Sequence, residues 1–259
     1  MRITIIPFTL ILSLLLKTTH AQRQDDTFKF FDAAWKQVKE KKAVYLLRIH
    51  STEDNCRQYS YYNMYGPLIK IETYQDEKTT MRQGLFAWYN SEGKMDSSGY
   101  YYRGLPDKDW VYPDAAGKVR QEKHYDKGKL LSDKEFEEKL KAEEIIDPAY
   151  PDLSRLSPES YFPGGNAGWI QYLTKNFRYP DRAVDNLVGG TVLALFIIEP
   201  TGKIQDLQIF RSIELSLDDE TIRILENSPT WIPAIRFERK VRSYKIQPMV
   251  FKMEVSNAQ

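Results

Sequence analysis

Cysteine is almost missing from this sequence. Cys56 stands alone among 259 residues, which excludes an intrachain disulfide and a structural zinc site built on cysteines. Histidine is scarce as well: of His20, His50 and His124, none is placed by a motif near a candidate nucleophile. HExxH, GxSxG and a phosphate loop do not occur, and Gly189-Gly190 lacks the spacing of a dinucleotide fingerprint. The acidic run Asp218-Asp219-Glu220 fits the first turn of a helix, where carboxylates face the positive dipole end, better than an acid–base pair. Net charge is nearly absent at +1, so no general attraction to nucleic acid or acidic lipid is expected. These residues give no reason to expect an enzyme, a cofactor or a metal site.

Long apolar runs are equally rare, and the single one stands at the start. Arg2 supplies a small positive charge and Ile3 to Leu16 are predominantly apolar, with Pro7 inside the run. Thr19 and Ala21 then put small residues where a signal peptidase inspects the chain. A spanning helix needs roughly 20 apolar residues, and this run is shorter. A cleaved signal peptide over residues 1–21 is therefore expected in preference to a retained anchor, with a mature chain starting at Gln22. No cysteine near the site invites lipid attachment. The rest, 42% hydrophobic and 28% charged in the whole chain, has room for two small domains.

What is present falls into blocks. Residues 22–58 read as a helix–strand lead-in. Phe28, Phe31, Trp35 and Val38 recur at spacings of three and four, which predicts a helix over 27–42, and Ala43 to Ile49 reads as a strand. From Tyr59 to Lys129 the texture changes to aromatics, glycines and charges, with most of the 17 tyrosines. A loose repeat runs through it. Gly84-Leu85-Phe86-Ala87-Trp88-Tyr89 leads to Gly93-Lys94; Gly104 and then Trp110-Val111-Tyr112 lead to Gly117-Lys118; Tyr125 leads to Gly128-Lys129. Short strands carrying rings on one face, joined at glycine turns, explain such a pattern. One hairpin cannot bury its own face, so successive hairpins must join. Residues 59–130 thus resemble MORN-type β-hairpin repeats. Rings at hairpin spacing fit the core of a flat sheet better than a site for sugars or bases.

Residues 131–160 read as a charged helix, striped by Phe136, Leu140 and Ile145, followed by a proline-bearing linker from Pro148. The two sides of that linker are expected to fold separately. Beyond it, Gly165-Asn166 starts a helix with Trp169, Leu173 and Phe177 on one face, which Tyr179-Pro180 ends. A second short helix runs to about Leu187. Thr191 to Ile198, almost continuously apolar, should be a central strand, and the Gly202 turn leads to another over Lys203 to Phe210. Ser216 to Asp219 carries a capping-box signature for a third helix. Trp231, Pro233 and Ala234 follow, and a last strand is expected from Ser243 to Val255.

The order of these landmarks resembles the C-terminal domain of the energy transducer TonB. Tyr179-Pro180 with Ala183, Gly190, Gly202, Leu217-Asp218, Trp231 with Pro233-Ala234, and Gln247-Pro248-Met249-Val250-Phe251 carry the likeness over 161–259. Phe162-Pro163-Gly164-Gly165 with Trp169 is similar to the approach to the domain in many Bacteroidetes-type members. The resemblance implies an α+β fold: here, an N-terminal β-hairpin repeat region plus a three-stranded antiparallel sheet with helices. It implies a periplasmic, envelope-associated protein of a Gram-negative bacterium. The partner it implies is a TonB-dependent outer-membrane receptor, whose extended "TonB box" adds as a strand. Motor proteins of the ExbB/ExbD type and a homodimer belong to the same set of implied partners. The residues it assigns to the partner are Arg178, Tyr179, Pro180, Tyr244, Ile246, Gln247, Met249, Val250, Phe251 and Lys252.

Two departures qualify the likeness. Phe237-Glu238-Arg239 replaces a turn that commonly holds glycine, so a longer or differently shaped turn is expected. A full transducer also has a retained membrane helix and a long proline-rich spacer, and this chain has neither pattern. The expectation is therefore a binding module, with a non-catalytic envelope scaffold acting through the hairpins as the alternative.

Overall fold

The computed structural model describes residues 26–114, 119–135 and 159–253. The expected signal segment, the stretch 136–158 with Phe136, Leu140 and Ile145, and Val255 lie outside them. Nine strands come first: β1 (Thr27–Phe31), β2 (Tyr45–Ser51), β3 (Arg57–Asn63), β4 (Leu68–Tyr74), β5 (Gly84–Tyr89), β6 (Met95–Tyr102), β7 (Leu105–Pro113), β8 (Val119–Asp126) and β9 (Lys129–Glu135). They pair antiparallel in sequence order as one nine-stranded sheet.

The hairpin repeat has a visible mechanism. Arg103-Gly104 and Lys127-Gly128 both have positive φ at each residue, the two-residue turn whose twist suits a hairpin. Each turn is tied to the preceding hairpin. Gln83 accepts from the Arg103 amide and Asp107 from that of Lys127, while the Arg82 and Pro106 carbonyls accept from Gly104 and Gly128. One offset of 24 residues carries Gln83 to Asp107, Arg103 to Lys127 and Gly104 to Gly128. On the outer face the same offset carries Phe86 to Trp110 and Tyr101 to Tyr125, and these rings contact one another at 4.8 to 6.4 Å. Gly99, opposite Phe86, leaves the slot that Trp110 fills: a Cβ there would stand 2.1 Å from the indole Cδ2.

The lead-in corrects the sequence reading. Residues 27–31 are strand, and helix is confined to a single 3-10 turn at Glu40–Lys42. The Asp32 carboxylate caps the amides of Ala34 and Lys36 and Trp35 takes a positive φ, so the chain reverses where a helix would continue. Phe30 then faces the core beside Leu46 while Phe28 stays exposed. The spacing of Phe28, Phe31 and Trp35 spans a strand and a turn. Likewise residues 131–135, expected to open a helix, complete β9.

The second half contains α1 (Gly165–Asn176), α2 (Asp181–Asp185), β10 (Gly190–Ile198), β11 (Ile204–Arg211), α3 (Leu215–Glu226), β12 (Ala234–Arg236), β13 (Arg239–Val241) and β14 (Ser243–Phe251). β10 is central in the order β11-β10-β14. The α3 cap is Glu214, which accepts from the Ser216 amide and hydroxyl, so the helix starts earlier than the capping box at Ser216 suggests. β14 stops at Phe251, short of Val255, because its ladder partner β10 begins at Gly190. Phe237-Glu238 is a tight two-residue turn between β12 and β13, with both φ positive and no glycine. Strand dominates, and an α+β description holds at that level.

Helices cover one face of the small sheet, and the nine-stranded sheet covers the other. Val192, Ala194, Phe196 and Ile198 point to the helix side with Met249, Phe251, Ile224 and Trp231. Leu195, Phe210 and Leu215 share a core with Leu46, Tyr62, Leu68, Ala87 and Val111 of the hairpin sheet. Polar groups bind across the same boundary. The Tyr89 hydroxyl donates to the Ile209 carbonyl at 2.7 Å, the Leu68 amide to Ser212 Oγ at 2.8 Å, and Arg182 to the Met64 carbonyl at 2.5 Å. Two separately folding halves do not fit this packing, since each would expose an apolar face that the other buries.

Candidate functional site: the free edge of the carboxy-terminal sheet

β14 pairs with β10 along its whole length and has no strand on its other side among the described residues. Pro248, opposite Leu193, sets the direction of the backbone groups. Proline fits a ladder only where its nitrogen faces away from the neighbour. Even-numbered residues of β14 therefore turn their amides and carbonyls outward. The Phe251 carbonyl agrees with this, for it lies 2.9 Å from where a Cβ on Gly189 would stand, on the β10 side. The open edge thus offers amide donors at Tyr244, Ile246 and Val250, with a gap at Pro248.

The side chains divide by parity. Met249 and Phe251 are buried in the helix-side core, where Phe251 meets Phe177 at 5.2 Å and Tyr179 at 5.8 Å. Lys245 and Gln247 line a shallow recess with Phe162, Asn166, Trp169 and Trp231. On the opposite face Ile246 packs against the inter-sheet core. Tyr244 reaches Glu122 of β8; burial first, and then the Glu122 and Asp109 carboxylates, push its phenol well above the usual range. Val250, 51% exposed, stands beyond the covered part of the sheet.

Arg242, just before β14, contacts Asp109 at 3.1 Å, Glu199 at 3.2 Å and Asp206 at 3.4 Å. Partial desolvation disfavours its charge, but the bond and attraction to Asp109 outweigh this and raise the guanidinium above its ordinary value. Asp109 also holds His124 Nδ1 at 2.6 Å. This knot ties β14 to β7 and β8 at one end.

Of the residues assigned by resemblance, Tyr179 comes together with Phe251: its hydroxyl donates to the Val188 carbonyl at 2.8 Å and its ring covers the end of β14. The Arg178 amide donates to Glu220 Oε1 at 2.8 Å, while its side chain is exposed, and Pro180 caps α2. Tyr244 and Ile246 stand at the other end of the edge, against the hairpin sheet. Lys252 follows the last strand residue. Met249 and Phe251 serve the core, which leaves backbone and neighbouring side chains for a partner. Sequence reasoning missed Arg242, Glu122 and Asp109, because no local pattern brings β8 beside β14.

The geometry suits binding of an extended chain. No group of three or more His, Cys, Asp or Glu among the described residues is placed to hold a metal ion, and no described helix is long and apolar enough to cross a membrane. Comparison with protein families matches residues 175–253 to the model of the Gram-negative bacterial TonB protein C-terminal. Comparisons with curated proteins and with solved structures find no match.

Proposed function

We propose that this chain is an exported, non-catalytic envelope protein that binds an extended, TonB box-like segment of an outer-membrane receptor by strand addition to β14, in TonB-dependent transport. The carrying observation is the open edge of β14, with three outward amides and a central strand buried on both faces behind it. The family match over this region supports the same role at a coarser level. About four backbone bonds at roughly 1 kcal/mol each would favour such a complex before ordering costs, so affinity is modest. Energy transduction would require a separately anchored motor of the ExbB/ExbD type.

The test is cross-linking from single cysteines placed along residues 243–253 in a Cys56→Ser chain to a receptor-box peptide. Cross-links at alternate positions support pairing in register; none along β14 refutes it. Export is tested by sequencing the mature protein from the periplasmic fraction, with Gln22 expected as the first residue. An intact start in the inner membrane would overturn it.

One observation favours the scaffold reading: the outer face of the hairpin sheet carries rings such as Trp35, 45% exposed and stacked on Tyr45 at 4.3 Å. A partner captured equally well after β14 is blocked by proline at Val250 would favour that reading.

A further inference from the structure

The two sheets cross obliquely, so that β11 and the residue after it pass over three strands of the larger sheet in turn. Contacts advance strand by strand: Ser212 after β11 meets Leu68 of β4, and Ile209 of β11 meets Tyr89 of β5. Asp206 of β11 meets Tyr100 of β6, Leu195 of β10 shares a core with Val111 of β7, and Tyr244 of β14 meets Glu122 of β8. The next strand of the large sheet is β9, which pairs with β8 alone. Strands lie about 4.8 Å apart in any sheet. At Tyr244, where β14 lies over β8, the residue opposite it on an added strand therefore lies over β9.

The register follows from two contacts. Arg242 meets Asp109, the cross-strand partner of His124, and Tyr244 meets Glu122. Two residues forward on β14 correspond to two residues back on β8, and Ile246 accordingly packs on the core that Val119 also flanks. Glu122 pairs with Lys134 of β9, so both face β14. Residues directly opposite one another in a ladder share a face. The residue of the added strand opposite Tyr244 then stands above Lys134, and Arg120 follows Val119 of the inter-sheet core in the next bulge of β8.

The charges of this ledge are unequal. Glu122 is engaged by the Tyr244 hydroxyl and Asp109 by Arg242 and His124, whereas Lys134 and Arg120 are exposed. Resting on the strand-addition reading, we infer that the inner face of β8–β9 is a cationic shelf that selects a segment with an acidic side chain opposite Tyr244. The hairpin sheet is thus one wall of the receptor-binding groove, and it supplies specificity where β14 supplies backbone bonds.

Labelled ten-residue peptides with valine at alternate positions and either glutamate or lysine at the others probe this in the full mature chain, by fluorescence anisotropy. Alternation makes the comparison independent of register. The glutamate peptide is expected to bind about ten-fold more tightly at low salt, as two partly shielded ion pairs of a few-fold each would give. The preference should collapse in about 1 M salt and reverse in the Lys134→Glu, Arg120→Glu double variant, whose thermal transition stays unchanged. Equal binding of both peptides, still weakened by Val250→Pro, would overturn the shelf and leave strand addition standing. Binding of neither peptide, with no cross-link along β14, would overturn both. A second copy of the chain on β14, seen as a dimer that neither peptide dissociates, would overturn the assigned occupant.

Discussion

Replacing Gly93 by alanine tests whether the two sheets form one folding unit, and Gly104 supplies the matched control. Both glycines have left-handed backbone, φ +73° and +83°, so alanine costs about 1 kcal/mol at either place from backbone strain alone. The surroundings differ. A Cβ on Gly104 meets nothing within 4 Å, whereas one on Gly93 would lie 2.4 Å from the Ser212 carbonyl oxygen and 2.5 Å from Pro67 Cβ. Neither neighbour is the tip of a flexible side chain. Ser212 is fixed by its amide bond to the Gly93 carbonyl at 2.8 Å, by the Leu68 amide at 2.8 Å, and by its own hydroxyl bond to Asp218 at 2.5 Å. The methyl fits only if the β5–β6 turn parts from the chain entering α3. Overpacking of that kind costs about 1–3 kcal/mol, and the strained Ser212 bond adds about 1 kcal/mol. Gly93→Ala should therefore lose about 2–4 kcal/mol beyond Gly104→Ala, some 4–16 °C in Tm at about 2–4 °C per kcal/mol. Near-ultraviolet circular dichroism follows the aromatic hairpins and far-ultraviolet signal follows the helices. Both should shift together. Equal Tm losses in the two variants, or ring and helix signals that melt apart, would refute the shared core.

Three further outcomes can be checked. Burial of Asp218, beyond what its bonds to Ser212 and Ile213 offset, raises its carboxyl well above the usual range; its contribution to stability is full below the ordinary carboxylate pKa and is lost as pH rises through the raised value. Asp218→Asn should accordingly gain on the wild type as pH rises from about 4 to 8, and a Tm difference that is flat with pH would contradict the shift. Gly99→Ala should cost about 1–3 kcal/mol by driving Trp110 from its slot, read as a loss of tryptophan circular dichroism; an unchanged Tm would show that the ring is free to move. Val250→Pro removes an outward amide from a residue whose side chain is 51% exposed, without touching the β10 ladder, so it should weaken peptide binding several-fold while Tm moves by less than about 2 °C; a large Tm loss would mean that this amide faces inward.

The sequence was most legible where one local rule decided. Gly202, with φ +83° and a Cβ position 2.2 Å from the Trp231 carbonyl, could only be a turn, and the apolar run of β10 could only be central. The offset of 24 residues in the hairpins was audible in the glycines and rings, although the register bulges blur it. The lead-in misled because aromatics on an edge strand, followed by a turn capped by Asp32, imitate helical spacing over a short window. The stacking of the two sheets stayed hidden for a different reason. It depends on Arg48 meeting Asp219, Arg182 meeting Met64 and Tyr89 meeting Ile209, residues more than a hundred positions apart. One signal was there. An antiparallel strand with one face in water alternates, and β10 does not: Leu193 and Leu195 are as apolar as Ala194 and Phe196 because both faces are covered.

That double covering bears on how the edge can work. The end of β11 is bridged to the β5–β6 turn through Arg211 and Lys94 and through the Ser212 amide, whereas β14 has no such bridge among the described residues. An exposed edge of this kind invites copy-on-copy pairing unless something interrupts it. Pro248 does so at the centre of β14: two copies paired there would each lack a donor, and the cations Lys245 and Lys252 would be brought together. A foreign strand carrying carboxylates meets the same missing donor once and the same cations favourably. The interruption that lowers the ceiling on affinity therefore also biases the edge toward a partner of opposite charge, and the shelf formed by β8 and β9 extends that bias to the strand beyond.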